Sequence, residues 1–123
     1  MKKIVAAVAL SLSLACATIQ PGQDALLVRA EQVEQTSFAI TNAFVTLEDQ
    51  NQAALESKFP GIHKAAEQVR RTAPPSIRGL HNAIDAYRAA KVKDASALSV
   101  ALSVVEQIVA EAQKWIAASS GVK

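Results

Sequence analysis

The chain has 123 residues, half of them apolar but only 4% aromatic, and a formal net charge of +2. That length holds one domain. A core built largely from alanine and branched aliphatics favours closely packed helices, and the single cysteine, Cys16, excludes an internal disulfide and a multi-cysteine zinc site.

Met1–Ala17 reads as a secretory signal. Lys2 and Lys3 form its positive end, and Ile4 to Ala15 is an apolar run too short to span a bilayer. Two processing routes fit. Ala15-Cys16-Ala17 suits small-x-small cleavage after Ala17. Ser13-Leu14-Ala15-Cys16 resembles a bacterial lipoprotein box, with Ser13 standing where that box has leucine. Acylation of the Cys16 thiol would anchor the chain in a membrane through its lipid chains. Thr18–Gln23, with Pro21 and Gly22, is a short tether, so the expected layout is a signal over 1–17, a tether over 18–23 and a helical domain over 24–120.

From Asp24 to Phe59 the sequence predicts one long amphipathic helix. Leu26, Val33, Ile40, Leu47 and Ala54 recur every seven residues, with Ala30, Ser37, Phe44 and Asn51 in a second row four later. Asp24 suits the N-cap. The polar run Glu48-Asp49-Gln50-Asn51-Gln52 thins the stripe, and Asn51 serves there as a register-setting group or a helix end. Pro60-Gly61 stops this helix. Ile62, Ala65, Ala66, Val69 and Ala73 then mark a short second helix, which Pro74-Pro75 breaks. A short third follows to Ala90 on Ile77, Leu80, Ile84 and Tyr87, with Gly79 expected to allow a close crossing. The fourth, capped by Asp94 or Ser96, repeats Leu98, Ala101/Leu102, Val105, Ile108/Val109, Ala112 and Trp115/Ile116.

These elements predict an all-α fold, an antiparallel up-down bundle of four helices in the order long, short, short, long. The two short helices would leave the first and fourth paired alone near the start of the domain, with Trp115 close to Leu26 or Leu27. That end, with Leu26, Val33 and Trp115 on its bare edge, would kink back, dimerise or receive a partner.

Charge is segregated along the chain. Residues 24–56 carry six acids and one base, and residues 57–93 carry eight bases and two acids. Mutual attraction of the two segments is one reading; a basic face for acidic lipid or another polyanion is the other. Arg70-Arg71 is a candidate grip on a phosphate or carboxylate of a partner. Aromatic residues do not interleave the bases, so nucleic acid is not an expected partner.

Chemistry-bearing motifs are few. His63 with Glu67 and His81 with Asp85 stand four apart, and two helices meeting along those sides would surround a zinc-like ion. Both histidines flank the stripes, so surface pairing is the simpler reading and no cofactor is expected. Cys-x-x-Cys-His for haem, Gly-x-Ser-x-Gly and glycine-rich phosphate loops do not occur.

The segment Arg29-Ala30-Glu31, followed by Phe38, Phe44, Leu47-Glu48 and Asn51, resembles a group of small helical proteins encoded in bacterial and phage genomes. These carry a signal or lipoprotein-like start and have no assigned activity. The resemblance implies a helical layout and export, and transfers no functional residue. The expected function is therefore a non-enzymatic, exported, lipid-anchored bundle of the periplasm or outer membrane that binds a macromolecular partner, as a scaffold or a phage exclusion factor. A soluble periplasmic carrier of a small ligand or metal is the alternative.

Overall fold

The computed structural model describes residues 24–120, all of them helix or short connection. Cys16, the expected signal over 1–17 and the expected tether over 18–23 lie outside the described residues. Four helices follow one another: α1 Ala25–Gln50, α2 Gln52–Lys58, α3 Ile62–Ala89 and α4 Ala95–Ser120. The three long helices each pack on the other two, and α2 closes one end against α3.

The order of lengths is thus long, short, long, long, which corrects the predicted long, short, short, long. Two local events produce the difference. Asn51 ends α1 at φ −132° and ψ 28°, its N–H reaching Glu48 O at 3.1 Å. Its side-chain amide caps the carbonyl of Leu47 at 3.0 Å. Leu55, eleven residues after Phe44 and so on the same face, is buried in α2, whereas the seven-residue row drifts by about 20° per heptad on a straight helix and leaves Ala54, expected in the stripe, facing solvent. Conversely, α3 runs unbroken through Pro74 and Pro75. Both prolines face water, as do Arg70 and Arg71, whose carbonyls lose their intrahelical partners. Val69, Ala73 and Leu80 are held in the core on either side.

A continuous α3 has a second consequence. Its 28 residues match the 26 of α1 and the 26 of α4, so no two-helix stalk is left bare. Leu26, Val33 and Trp115 accordingly lie half-buried against the common core and do not form an open edge. Gly79 is exposed, with nothing within 4 Å of a Cβ built on it, so it makes no close crossing.

The core follows the 3–4 spacing. Ala30, Ile40, Phe44 and Leu47 come from α1, and Ile62, Ala66, Val69, Ala73, Leu80, Ile84 and Tyr87 from α3. Leu98, Leu102, Val105, Val109, Ala112 and Ile116 come from α4. Ser37 and Thr41 are buried among them and return their hydroxyl protons to the carbonyls of Glu34 and Ser37 at 3.1 and 2.8 Å. By length and composition α4 is one helix that could cross a membrane, but here its apolar stripe packs inside the bundle.

Polar ties fix α1 to α3. Asp24 accepts the backbone N–H of Leu27 at 3.2 Å, as an N-cap, and also the Tyr87 hydroxyl at 2.5 Å. The Tyr87 bond, with the Leu27 N–H behind it, holds the Asp24 carboxyl below its usual range, and Asp24 in turn pushes the Tyr87 hydroxyl up. Glu31 pairs with Arg88, Glu34 with His81, and Asp49 with Arg70 at 3.8 Å. Positions climb α1 as they descend α3. These half-exposed pairs are individually weak. They show the acidic and basic segments meeting, as the charge distribution allowed.

Candidate functional site

Two places concentrate unusual chemistry. The first is the α1–α2–α3 corner. Glu48 sits in the last turn of α1, in phase with Ile40 and Phe44, and is 1% exposed. The Nδ1 of His63, in the first turn of α3, meets its Oε1 at 3.0 Å, and the Gln52 amide lies 3.2 Å from the same nitrogen. Glu48 Oε2 is buried with no hydrogen-bond partner among the described residues. Glu56, from α2, spans the start of α3: Oε1 accepts the Gly61 N–H and Oε2 the His63 N–H, both at 3.1 Å. Those two backbone bonds hold the Glu56 carboxyl below its usual range. Gly61 itself adopts φ +95°, a backbone that strains any residue with a Cβ, and it hands the chain from α2 into α3.

A carboxylate beside an imidazole is the start of an acid–base set. Among the described residues, however, no hydroxyl or thiol is bonded to the pair, so nothing stands as a nucleophile for it to activate. The corner is a tie between the end of α1 and the start of α3. Glu48 was legible only in part: the polar run around it hides that its spacing from Phe44 places it inside.

The predicted metal candidates do not converge. His63 and His81 lie on one continuous helix, 18 positions and about 27 Å apart, so the two-helix juxtaposition they required does not exist. His63 turns to Glu48 and not to Glu67, which instead pairs with Arg70. His81 bonds Glu34 and lies 3.2 Å from Asp85. Among the described residues no group of three or more His, Cys, Asp or Glu is placed to hold a metal ion.

His81 carries a pH dependence instead. Its bond to Glu34, reinforced by Asp85, raises its pKa above the ordinary 6.5. A raised folded-state value means the contribution is full below 6.5 and disappears as pH climbs through the raised value. The thermal midpoint of wild type should therefore exceed that of a His81→Gln variant most in mildly acidic buffer, and the gap should close in alkaline buffer. A gap constant across pH would remove the Glu34 pairing as its source.

The second place is the outer side of α4. From Ala95 to Val105 this helix carries no charge, and Val100 and Val104 are 65% and 43% exposed. Beside them a groove of about 490 Å³ runs between α3 and α4, floored by Ala65, Val69 and Ile108 and rimmed by Gln68, Thr72, Gln107 and Glu111. A smaller hollow of about 110 Å³ on the opposite side of α3 is lined by the exposed Phe38 with Val45, Ala73 and Pro74. Of the predicted partner residues, Trp115 gives its indole N–H to Glu111 at 2.9 Å, and Lys114 sits 5.2 Å above its ring. Arg70 is engaged by Glu67 and Asp49, whereas Arg71 is exposed and has no partner among the described residues. Sequence reading missed Val100 and Val104 because both fall between the positions that set the core stripe, where an apolar residue adds nothing to the periodicity.

No protein-family model, curated protein or solved structure matches this chain.

Proposed function

We propose that this chain is a non-catalytic, exported, lipid-anchored helical bundle of the cell envelope whose α3–α4 groove receives an amphipathic helix of a partner protein. The address comes from the sequence: a positive end, a short apolar run and Cys16 ahead of a polar tether. The up-down course of the long helices belongs to the same reading, since it sets α3 and α4 side by side. The observation that carries partner binding is the uncovered Val100–Val104 edge next to a groove with an apolar floor and a polar rim. That composition suits the apolar edge of a helix lying lengthwise, with its flanks bonded to Gln68, Gln107 and Glu111. On α3 the lining spans Ala65 to Ser76, about 16 Å, or three turns of such a helix. Envelope scaffolding and exclusion of incoming phage are both roles for this kind of module.

The test has two arms. Mass spectrometry of the cell-processed protein should show an N-terminus at Cys16 carrying acyl chains; a free Thr18 start would replace the anchor with soluble export. A photocrosslinker at Val104 in cells should yield one discrete adduct that Val100→Lys abolishes while helicity and thermal midpoint stay as in wild type, since an exposed substitution shifts stability by less than about 0.5 kcal/mol. An adduct with a second copy of this chain, or none, would overturn the partner-helix reading.

A further inference from the structure

Once the pairs between α1 and α3 are made, a distinct set of cations is left over. Lys64, Arg71 and Arg78 are exposed, and none has a partner among the described residues. They are spaced seven apart on the continuous α3. Seven residues is nearly two full turns, so the three side chains leave the helix in almost the same direction, about 10 Å apart in a row about 21 Å long. That direction is opposite Ile62, Val69, Ala73 and Leu80, which face the core. The row is therefore the outermost ridge of the bundle. Between the cations lie Gln68 and Pro75, with Asn82 one turn beyond Arg78, all exposed and uncharged. The two acids that flank the ridge are engaged elsewhere: Glu67 with Arg70, and Asp85 with Arg88 and His81. The row exists only because α3 passes through Pro74-Pro75 without breaking. Two separate helices would have pointed Lys64 and Arg78 independently.

From this arrangement we infer that the Lys64–Arg71–Arg78 ridge is a docking face for the anionic headgroups of a phospholipid surface. It lays the bundle flat on the membrane that its N-terminus reaches. Three features select that partner. The ridge is convex and lies outside both hollows described above, so it offers no pocket for a single small anion. No exposed aromatic interleaves the cations, so it lacks the stacking platform that single-stranded nucleic acid uses. It has no apolar centre, which a stable protein interface requires. A diffuse sheet of negative charge asks only for cations in one plane at a spacing near the screening length, about 10 Å at 0.1 M salt. The inference rests on the envelope address proposed above for its biological setting. The α4 groove adjoins the ridge at Gln68, which rims the one and lies between Lys64 and Arg71 on the other.

The experiment is co-sedimentation of the full chain with vesicles of phosphatidylcholine alone and of phosphatidylcholine mixed with phosphatidylglycerol. The N-terminal apolar run and Lys2 and Lys3 are common to every variant, so the readout is the ratio of anionic to neutral partition. Replacing all three ridge residues with glutamine should lower that ratio about a hundredfold at low salt, and Arg71→Gln alone about fivefold. A charge-matched control, Lys58→Gln with Lys91→Gln and Lys114→Gln, should keep most of it. All variants should retain wild-type helicity. An equal fall in the ridge and control variants would reduce the effect to net charge and overturn the assignment. So would wild type with no anionic preference. Ridge-dependent retention of a short DNA duplex without vesicle preference would overturn it in favour of nucleic acid. None of these readouts uses Cys16 or Val104, so failure here leaves the anchoring and crosslinking results standing, and the reverse.

Discussion

Phe44→Ala is expected to destabilise the bundle by about 3–5 kcal/mol and to lower its thermal midpoint by about 20 °C. Phe44 is the largest fully buried side chain, 0% exposed, midway along α1 in the core shared by all three long helices. Removing its ring deletes the transfer contribution of a whole aromatic group and leaves a cavity that three helices can collapse into only by shifting together. For a domain of this size the loss is a large share of the total stability, about 5–15 kcal/mol. Phe38 supplies the internal control. It stands six residues earlier on the same helix and is 66% exposed, so Phe38→Ala should move the midpoint by less than about 0.5 kcal/mol equivalent. Urea denaturation of the two variants checks the contrast, and comparable losses would mean that α1 is rotated from the phase described.

That contrast shows what periodicity can carry. Ile40, Phe44, Leu80, Leu98, Leu102 and Val105 are all where a 3–4 repeat puts them, because burying a stripe on neighbouring helices is the same physical demand that produces the repeat. Position within a helix is local information, and the sequence holds it. What failed was continuity. Asn51 reads as one polar residue in a long pattern, yet its amide caps Leu47 and ends α1 there. Ala54 was misplaced for another reason: a seven-residue row drifts by about 20° per heptad on a straight helix, so Ala54 leaves the core face while Leu55, eleven after Phe44, stays on it. Glu48 was obscured by charged and amide neighbours, although a position four after Phe44 is an inside position and His63 follows directly on the buried Ile62. The surface was least legible of all. Net charge by segment predicts attraction between α1 and α3. Which bases stay unpaired depends on the relative alignment of two helices, and Lys64, Arg71 and Arg78 emerge only once Arg70, His81 and Arg88 have been assigned to α1.

The continuity of α3 makes the second large prediction. Replacing Pro74 and Pro75 together with alanine is expected to stabilise the protein by about 4 kcal/mol. A proline inside a helix costs about 3 kcal/mol relative to alanine, through the missing N–H and the clash of its ring with the preceding turn. Two in succession fall short of twice that figure here. The prolines lie on the exposed side of α3, where water can reach a freed carbonyl, and they narrow the unfolded ensemble by about 1 kcal/mol each. The cost is offset in the native protein by burial on both sides of the pair, from Ile62 to Ala73 and from Leu80 to Tyr87. Had the chain broken at this point, the second proline would occupy the first turn of a new helix, where its fixed φ is favourable and its absent N–H costs nothing. Alanine there would be neutral or destabilising. The sign of one urea midpoint therefore separates a through-running helix from two short ones, and with it decides whether Lys64 and Arg78 share a ridge at all.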